Sequence, residues 1–129
     1  MDKLKNYSDA RGDLFPIEFS SLPFIPIRSF IVKNVPKDSL RGGHAHYKTR
    51  QLLICLKGKI KVLIHDGKKL KTITLKENMF TLVDAMLWDS QKFLTNDDVL
   101  LVFCSTPYEK ADYILDFDEF KKIRNDKND

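Results

Sequence analysis

Cysteine is nearly absent from this chain: there are two in 129 residues, Cys55 and Cys104, each inside an apolar run. That excludes a disulfide-framed scaffold and any Cys-x-x-Cys metal or redox motif, and the expectation is a pair of buried, inert thiols. No stretch approaches the roughly 20 apolar residues that cross a bilayer. The opening residues, Met1 to Asn6, lack the apolar run of a secretory signal, so a cytoplasmic protein without a membrane partner is expected. Glycine and proline, five of each, are too sparse for a linker or a low-complexity tract. The length supports one core, and the chain reads as a single domain over residues 1–129. Charge of one sign is not massed anywhere. The net charge of +4 comes from lysines scattered among acids, which argues against a nucleic-acid surface. Arginines, with their planar fork of donors, would instead suit a small anion such as a diphosphate.

What the chain has is strands. Apolar and β-branched runs follow one another at Leu14 to Phe19, Phe30 to Val35, Leu52 to Leu56, Ile60 to Ile64, Leu70 to Leu75, Phe80 to Val83 and Val99 to Cys104. Between them lie the turn signals Lys57-Gly58-Lys59, Asp66-Gly67 and Asn96-Asp97-Asp98. Many short, closely spaced strands predict an all-β sandwich or barrel. Only the tail, from about Asp116 through Phe117, Phe120 and Ile123, has helical spacing, with Asp116 or Asp118 as its cap. Residues 125–129 are polar and expected to fray.

Histidine is scarce as well, yet two of the three stand together in Arg41-Gly42-Gly43-His44-Ala45-His46. In an extended segment residues two apart share a face, so His44 and His46 should project side by side into one cavity. Taken alone, the pair fits two role-less histidines equally well. The third, His65, precedes the Asp66-Gly67 turn and is expected to be exposed.

The spacing His44-x-His46, Gln51, Gly58 resembles the first motif of the cupin superfamily, with Gln51 where a metal-binding cupin has glutamate. The second motif is degraded: Asn78, Asp84, Met86, Asp89 and Phe93 occupy its positions. A metal would need a third good ligand, which Asp89 supplies only if it points inward. Beyond the cupin pattern, the Arg41 to His46 segment with Gln51-Leu52-Leu53-Ile54 is similar to the dTDP-sugar 3,4-ketoisomerases. So are Asp9-Ala10-Arg11-Gly12 and the late Ser105-Thr106-Pro107-Tyr108-Glu109, Asp112-Tyr113-Ile114 and Asp116-Phe117-Asp118-Glu119-Phe120.

That resemblance implies a small jelly-roll cupin barrel with a short C-terminal helix, working as a homodimer and without metal or other cofactor. It implies isomerisation of dTDP-4-keto-6-deoxyglucose to a 3-keto-6-deoxyhexose, a step toward amino sugars of bacterial surface polysaccharides. A base removes the proton on C3, an enediol forms, and a proton returns to C4. His44 and His46 are the expected catalytic pair. Arg11, Arg28, Arg41, Gln51 and Trp88 are the expected substrate contacts, although strand parity puts Arg41 opposite the histidines unless Gly42-Gly43 bends the chain. Tyr108 and Tyr113 are expected to pack the tail. Where the family often has tyrosines ahead of the motif, this chain has Phe30, Ile31 and Lys33. A metal-dependent cupin using His44, His46 and Asp89, and a non-catalytic sugar-nucleotide-binding cupin, are the alternatives.

Overall fold

A computed structural model describes residues 2–126. The described residues form twelve strands: β1 (Asp2–Lys3), β2 (Tyr7–Asp9), β3 (Gly12–Leu14), β4 (Arg28–Lys33), β5 (Ser39–His46), β6 (Gln51–Lys57), β7 (Lys59–His65), β8 (Leu70–Lys76), β9 (Met79–Val83), β10 (Trp88–Phe93), β11 (Val99–Cys104) and β12 (Tyr113–Ile114). One α-helix, α1 (Phe117–Asp126), ends the described chain. The strands form two five-stranded sheets, ordered β1-β9-β6-β11-β4 and β12-β5-β10-β7-β8, while β2 and β3 pair only with each other. All pairings are antiparallel. This is the sandwich expected from the strand pattern, in the jelly-roll form that the family resemblance implies.

The two sheets close over Leu53, Cys55, Ile60, Val62, Leu75, Phe93, Leu100, Val102 and Cys104. Both thiols are free and buried there, and burial pushes that of Cys55 up to about 12, so neither is a nucleophile at neutral pH. The run Leu52 to Cys55 does not alternate because β6 is covered on both sides. Its outward residues Leu52 and Ile54 are covered by Ile17, Leu22 and Phe24 of the N-terminal segment. That segment differs from the expected strand at Leu14 to Phe19: only Leu14 pairs, and the chain beyond it lies over the sheet as irregular backbone with one 3-10 turn at Phe19–Ser21. With Pro16, Pro23 and Pro26 in it, this stretch gives up ladder hydrogen bonds and is held by its apolar contacts and by Arg50 Nη1, which donates to the Pro23 carbonyl at 3.1 Å.

Helix α1 begins where its cap was expected, with Asp116 Oδ1 accepting from the Asp118 backbone N–H at 3.1 Å. It runs through Asn125 and Asp126, expected to fray, whereas residues 127–129 lie outside the described residues. Phe120 drops onto Ala45 and Ile114, which clamps the helix to the outer face of β5.

Candidate active site

Strand β5 builds the site by alternation. Ala45 faces outward under the helix, so His44 and His46 face inward. Their rings sit 5.0 Å apart, edge to face at 90°. Tyr113, paired opposite His46 on β12, closes the group with its ring 5.0 Å from His44 and 4.4 Å from His46. Tyr113 therefore does more than pack the tail: it forms one wall of the histidine cavity.

That cavity, about 170 Å³, is lined by Arg41, Gly42, His44, Gln51, Gln91 and Tyr113, with Phe30, Val32, Leu53, Leu100 and Val102 as its apolar side. Arg41 is on the same side as the histidines despite its parity. Both glycines adopt positive φ, +84° at Gly42 and +79° at Gly43, and opposite β10 the register slips, with Asp89 facing His44 but Ser90 facing Gly42. Gly43 is the extra residue of a bulge that turns Arg41 back inward. Space at Gly42 is tight as well, since a Cβ there would stand 3.1 Å from both the Asp89 carbonyl and Gln91 Nε2.

Electrostatics keep both imidazoles neutral at pH 7. Burial lowers the pKa of His44, while burial first, and the neighbouring His44 next, push that of His46 down to about 4. His46 Nε2 is buried and bound to nothing. A neutral imidazole with a free nitrogen is a proton acceptor in waiting. Gln51 is buried beside the pair, its Nε2 3.6 Å from Cys104 Sγ. Arg28 comes to the rim, its guanidinium 5.8 Å over Phe30 and 5.6 Å over Tyr108, with Nε buried and unpartnered. Its charge also helps hold His46 unprotonated.

Two expected contacts are not brought to this cavity. Arg11 is exposed on the β2–β3 hairpin, where it pairs with Asp9 at 2.6 Å. Trp88 points to the opposite face of β10 from Asp89 and Gln91 and packs against Phe117 at 5.2 Å and Phe120 at 5.7 Å, so it belongs to the helix contact. His65 is half-buried rather than exposed, its ring 5.0 Å from Phe117 and its Nδ1 accepting from the Gly67 N–H at 2.9 Å. Gln91 and Tyr113 are the cavity residues that sequence reasoning missed. Strand β10, with only Trp88 and Phe93 apolar, does not read as a strand, although the alternation Asp89, Gln91, Phe93 is available as a signal.

Asp89 does point inward, but its Oδ2 accepts from Gln91 Nε2. Among the described residues no three His, Cys, Asp or Glu side chains converge as a metal site requires, so the donor set does not fit a bound metal.

An antiparallel jelly roll with paired histidines on its first motif strand and a small polar-apolar cavity between the sheets defines a cupin-type barrel. The chain belongs to the FdtA family (WxcM-like, C-terminal), whose model matches residues 1–125. It is similar to the TDP-4-oxo-6-deoxy-alpha-D-glucose-3,4-oxoisomerase of Aneurinibacillus thermoaerophilus, with 35% identity over 92% of this chain and 86% of that one. Among solved structures it resembles QdtA, a sugar 3,4-ketoisomerase from Thermoanaerobacterium thermosaccharolyticum in complex with TDP, at a TM-score of 0.90 and 33% identity over 97% of this chain and 93% of that one. A 3,4-ketoisomerase from Helicobacter canadensis also has a TM-score of 0.90, with 30% identity over 95% of this chain and 94% of that one.

Proposed function

We propose that this protein is a sugar 3,4-ketoisomerase that converts TDP-4-keto-6-deoxyglucose to a TDP-3-keto-6-deoxyhexose in the cytoplasm, the whole chain working as one domain. The observation that carries the reading is the inward pair His44 and His46, both held neutral, with His44 lining a cavity shared with Arg41 and Gln51 and His46 directly behind it. The names of the relatives supply the substrate class. A ketone at C4 acidifies the hydrogen on C3, and one imidazole removes it. The electron pair moves into a C3–C4 double bond while the C4 oxygen takes a proton, which gives the enediol. Proton return at C4, with loss of the proton from the C3 hydroxyl, leaves the ketone at C3, so atoms and electrons balance without an oxidant. His44 and His46 divide these transfers between them.

Arg41, on the cavity wall, offers its cation to the developing oxyanion. Arg28 at the rim is suited to the diphosphate, and Gln51 to a sugar hydroxyl. The hairpin of β2 and β3 is exposed along its whole length, with Tyr7 and Leu14 among the exposed apolar residues, and it offers a free edge for pairing two copies. Such a homodimer would carry Arg11 into the interface, and a monomeric mass by light scattering rules it out.

The deciding experiment follows the sugar by NMR with metal-stripped protein in deuterated water. A 3-keto product carrying deuterium at C4, lost in His44→Asn or His46→Asn, is the expected result. Saturable binding without turnover or exchange would make the protein a binding cupin instead.

A further inference from the structure

Asp89 and Gln91 extend the ketoisomerase reading, on which this inference rests, to recognition of the sugar. Both side chains are buried and point inward from β10. Gln91 lines the histidine cavity, and its Nε2 donates to Asp89 Oδ2. Asp89 Oδ1 is buried with no partner at all. On the other side the Gln91 amide lies close over Gly42, where a Cβ would stand 3.1 Å from Nε2 and 3.2 Å from Oε1. The amide is thus confined between a carboxylate and a backbone that leaves it just enough room.

Donor and acceptor counting then decides which end of the amide is free. An ionised carboxylate only accepts, so it takes the NH₂ end of Gln91 and leaves the carbonyl end. We propose that Asp89 is a positioning residue that locks the Gln91 amide with Oε1 available to the cavity, so that Gln91 accepts a hydrogen bond from a hydroxyl of the bound hexose. A 4-keto-6-deoxyglucosyl group carries hydroxyls at C2 and C3, beside the reacting carbonyl, whereas TDP alone has no hexose hydroxyl for Gln91 to receive. The orphaned Oδ1 is consistent with a carboxyl kept for what it does to Gln91, since a purely structural acid would be expected to have both oxygens satisfied.

The test first removes the acceptor and then rebuilds the pair with donor and acceptor exchanged, at pH 8 where Asp89 is ionised. In Asp89→Leu the carboxylate that takes the NH₂ end of Gln91 is gone, and nothing holds Oε1 toward the cavity. The KM for TDP-4-keto-6-deoxyglucose should rise about ten- to a hundredfold, the value of one misplaced polar contact. Calorimetric affinity for TDP should stay as in the wild type. The double variant Asp89→Asn with Gln91→Glu restores an acceptor toward the cavity, because one oxygen of the introduced carboxylate takes the introduced amide's donor and the other is left free, and it should recover much of the KM. An Asp89→Leu enzyme with wild-type KM overturns the proposal. So does loss of TDP and sugar binding together without rescue, the mark of a merely structural role. A wild type that binds TDP but turns over no keto-sugar fails at the ketoisomerase reading itself, a different failure from either.

Discussion

Two aspartates, Asp89 and Asp98, are each 1% exposed, and they lie in opposite circumstances. Asp98, in the loop before β11, accepts from the Lys59 backbone N–H at 2.8 Å, from the Thr95 N–H at 2.9 Å and from the Thr95 hydroxyl. Gly58 makes room for it: with φ at +83°, a Cβ there would collide with Asp98 Oδ1. This carboxylate pins the corner where the chain passes from β6 in one sheet to β7 in the other. Asp89 has one donor, one orphaned oxygen, and a pKa that burial pushes up to about 7. Equal burial therefore says nothing about purpose. A buried acid that supports the fold is surrounded by donors, and the one beside the cavity is left short of them.

The largest effect that separates the two regions is on catalysis. His44→Asn or His46→Asn should lower turnover about a hundred- to ten-thousandfold, the usual contribution of a positioned acid or base. Urea unfolding of His46→Asn should meanwhile show no loss of stability, because the buried Nε2 has no partner to lose. A variant that unfolds instead would place the histidines with Asp98 among the residues that hold the fold.

Next in size is the same substitution made at both acids. Asp98→Asn sets a new amide donor among backbone donors and should cost about 1–3 kcal/mol in urea unfolding. Asp89→Asn at pH 8 removes a buried charge with a single partner and should cost nothing or stabilise slightly. Equal losses at the two sites would break the comparison.

How much of this is legible in the sequence depends on whether a local signal exists. Gly58 and the Asp66-Gly67 turn announce themselves, because few residues other than glycine tolerate positive φ. The His44-x-His46 spacing likewise suffices to put both rings on one face. Arg41 is ambiguous because its direction depends on whether Gly43 is bulged, and that is decided by β10, a strand that pairs with β5 from far along the chain. Strand β10 itself is hidden since its inward residues Asp89 and Gln91 are polar, and a polar inward face is what a site requires. Trp88 misleads for the complementary reason: an aromatic suits a sugar or a core equally, and only the helix docking on β5 decides between them.

The effect that is smallest in the wild type concerns acidity, where the two polar groups act in opposite directions. Between about pH 4 and its unfolded value of 6.5, His46 is protonated in the unfolded chain and neutral in the folded one, so its contribution to stability rises with pH, and the lowered His44 adds the same sign. Asp89 holds a proton in the folded protein up to about 7 but loses it near 3.8 when unfolded, so its contribution falls as pH rises over nearly the same window. The two slopes oppose each other in the wild type. Removing one partner should expose the other: relative to wild type, the melting temperature of His46→Asn should decline as pH climbs through the window from about 4 to 6.5, and that of Asp89→Asn should increase over the same range. Melting curves for the three proteins across that range read the difference directly. Parallel profiles would mean that His46 and Asp89 are solvated like surface groups, and the contrast with the fully paired Asp98 would then lose its electrostatic half.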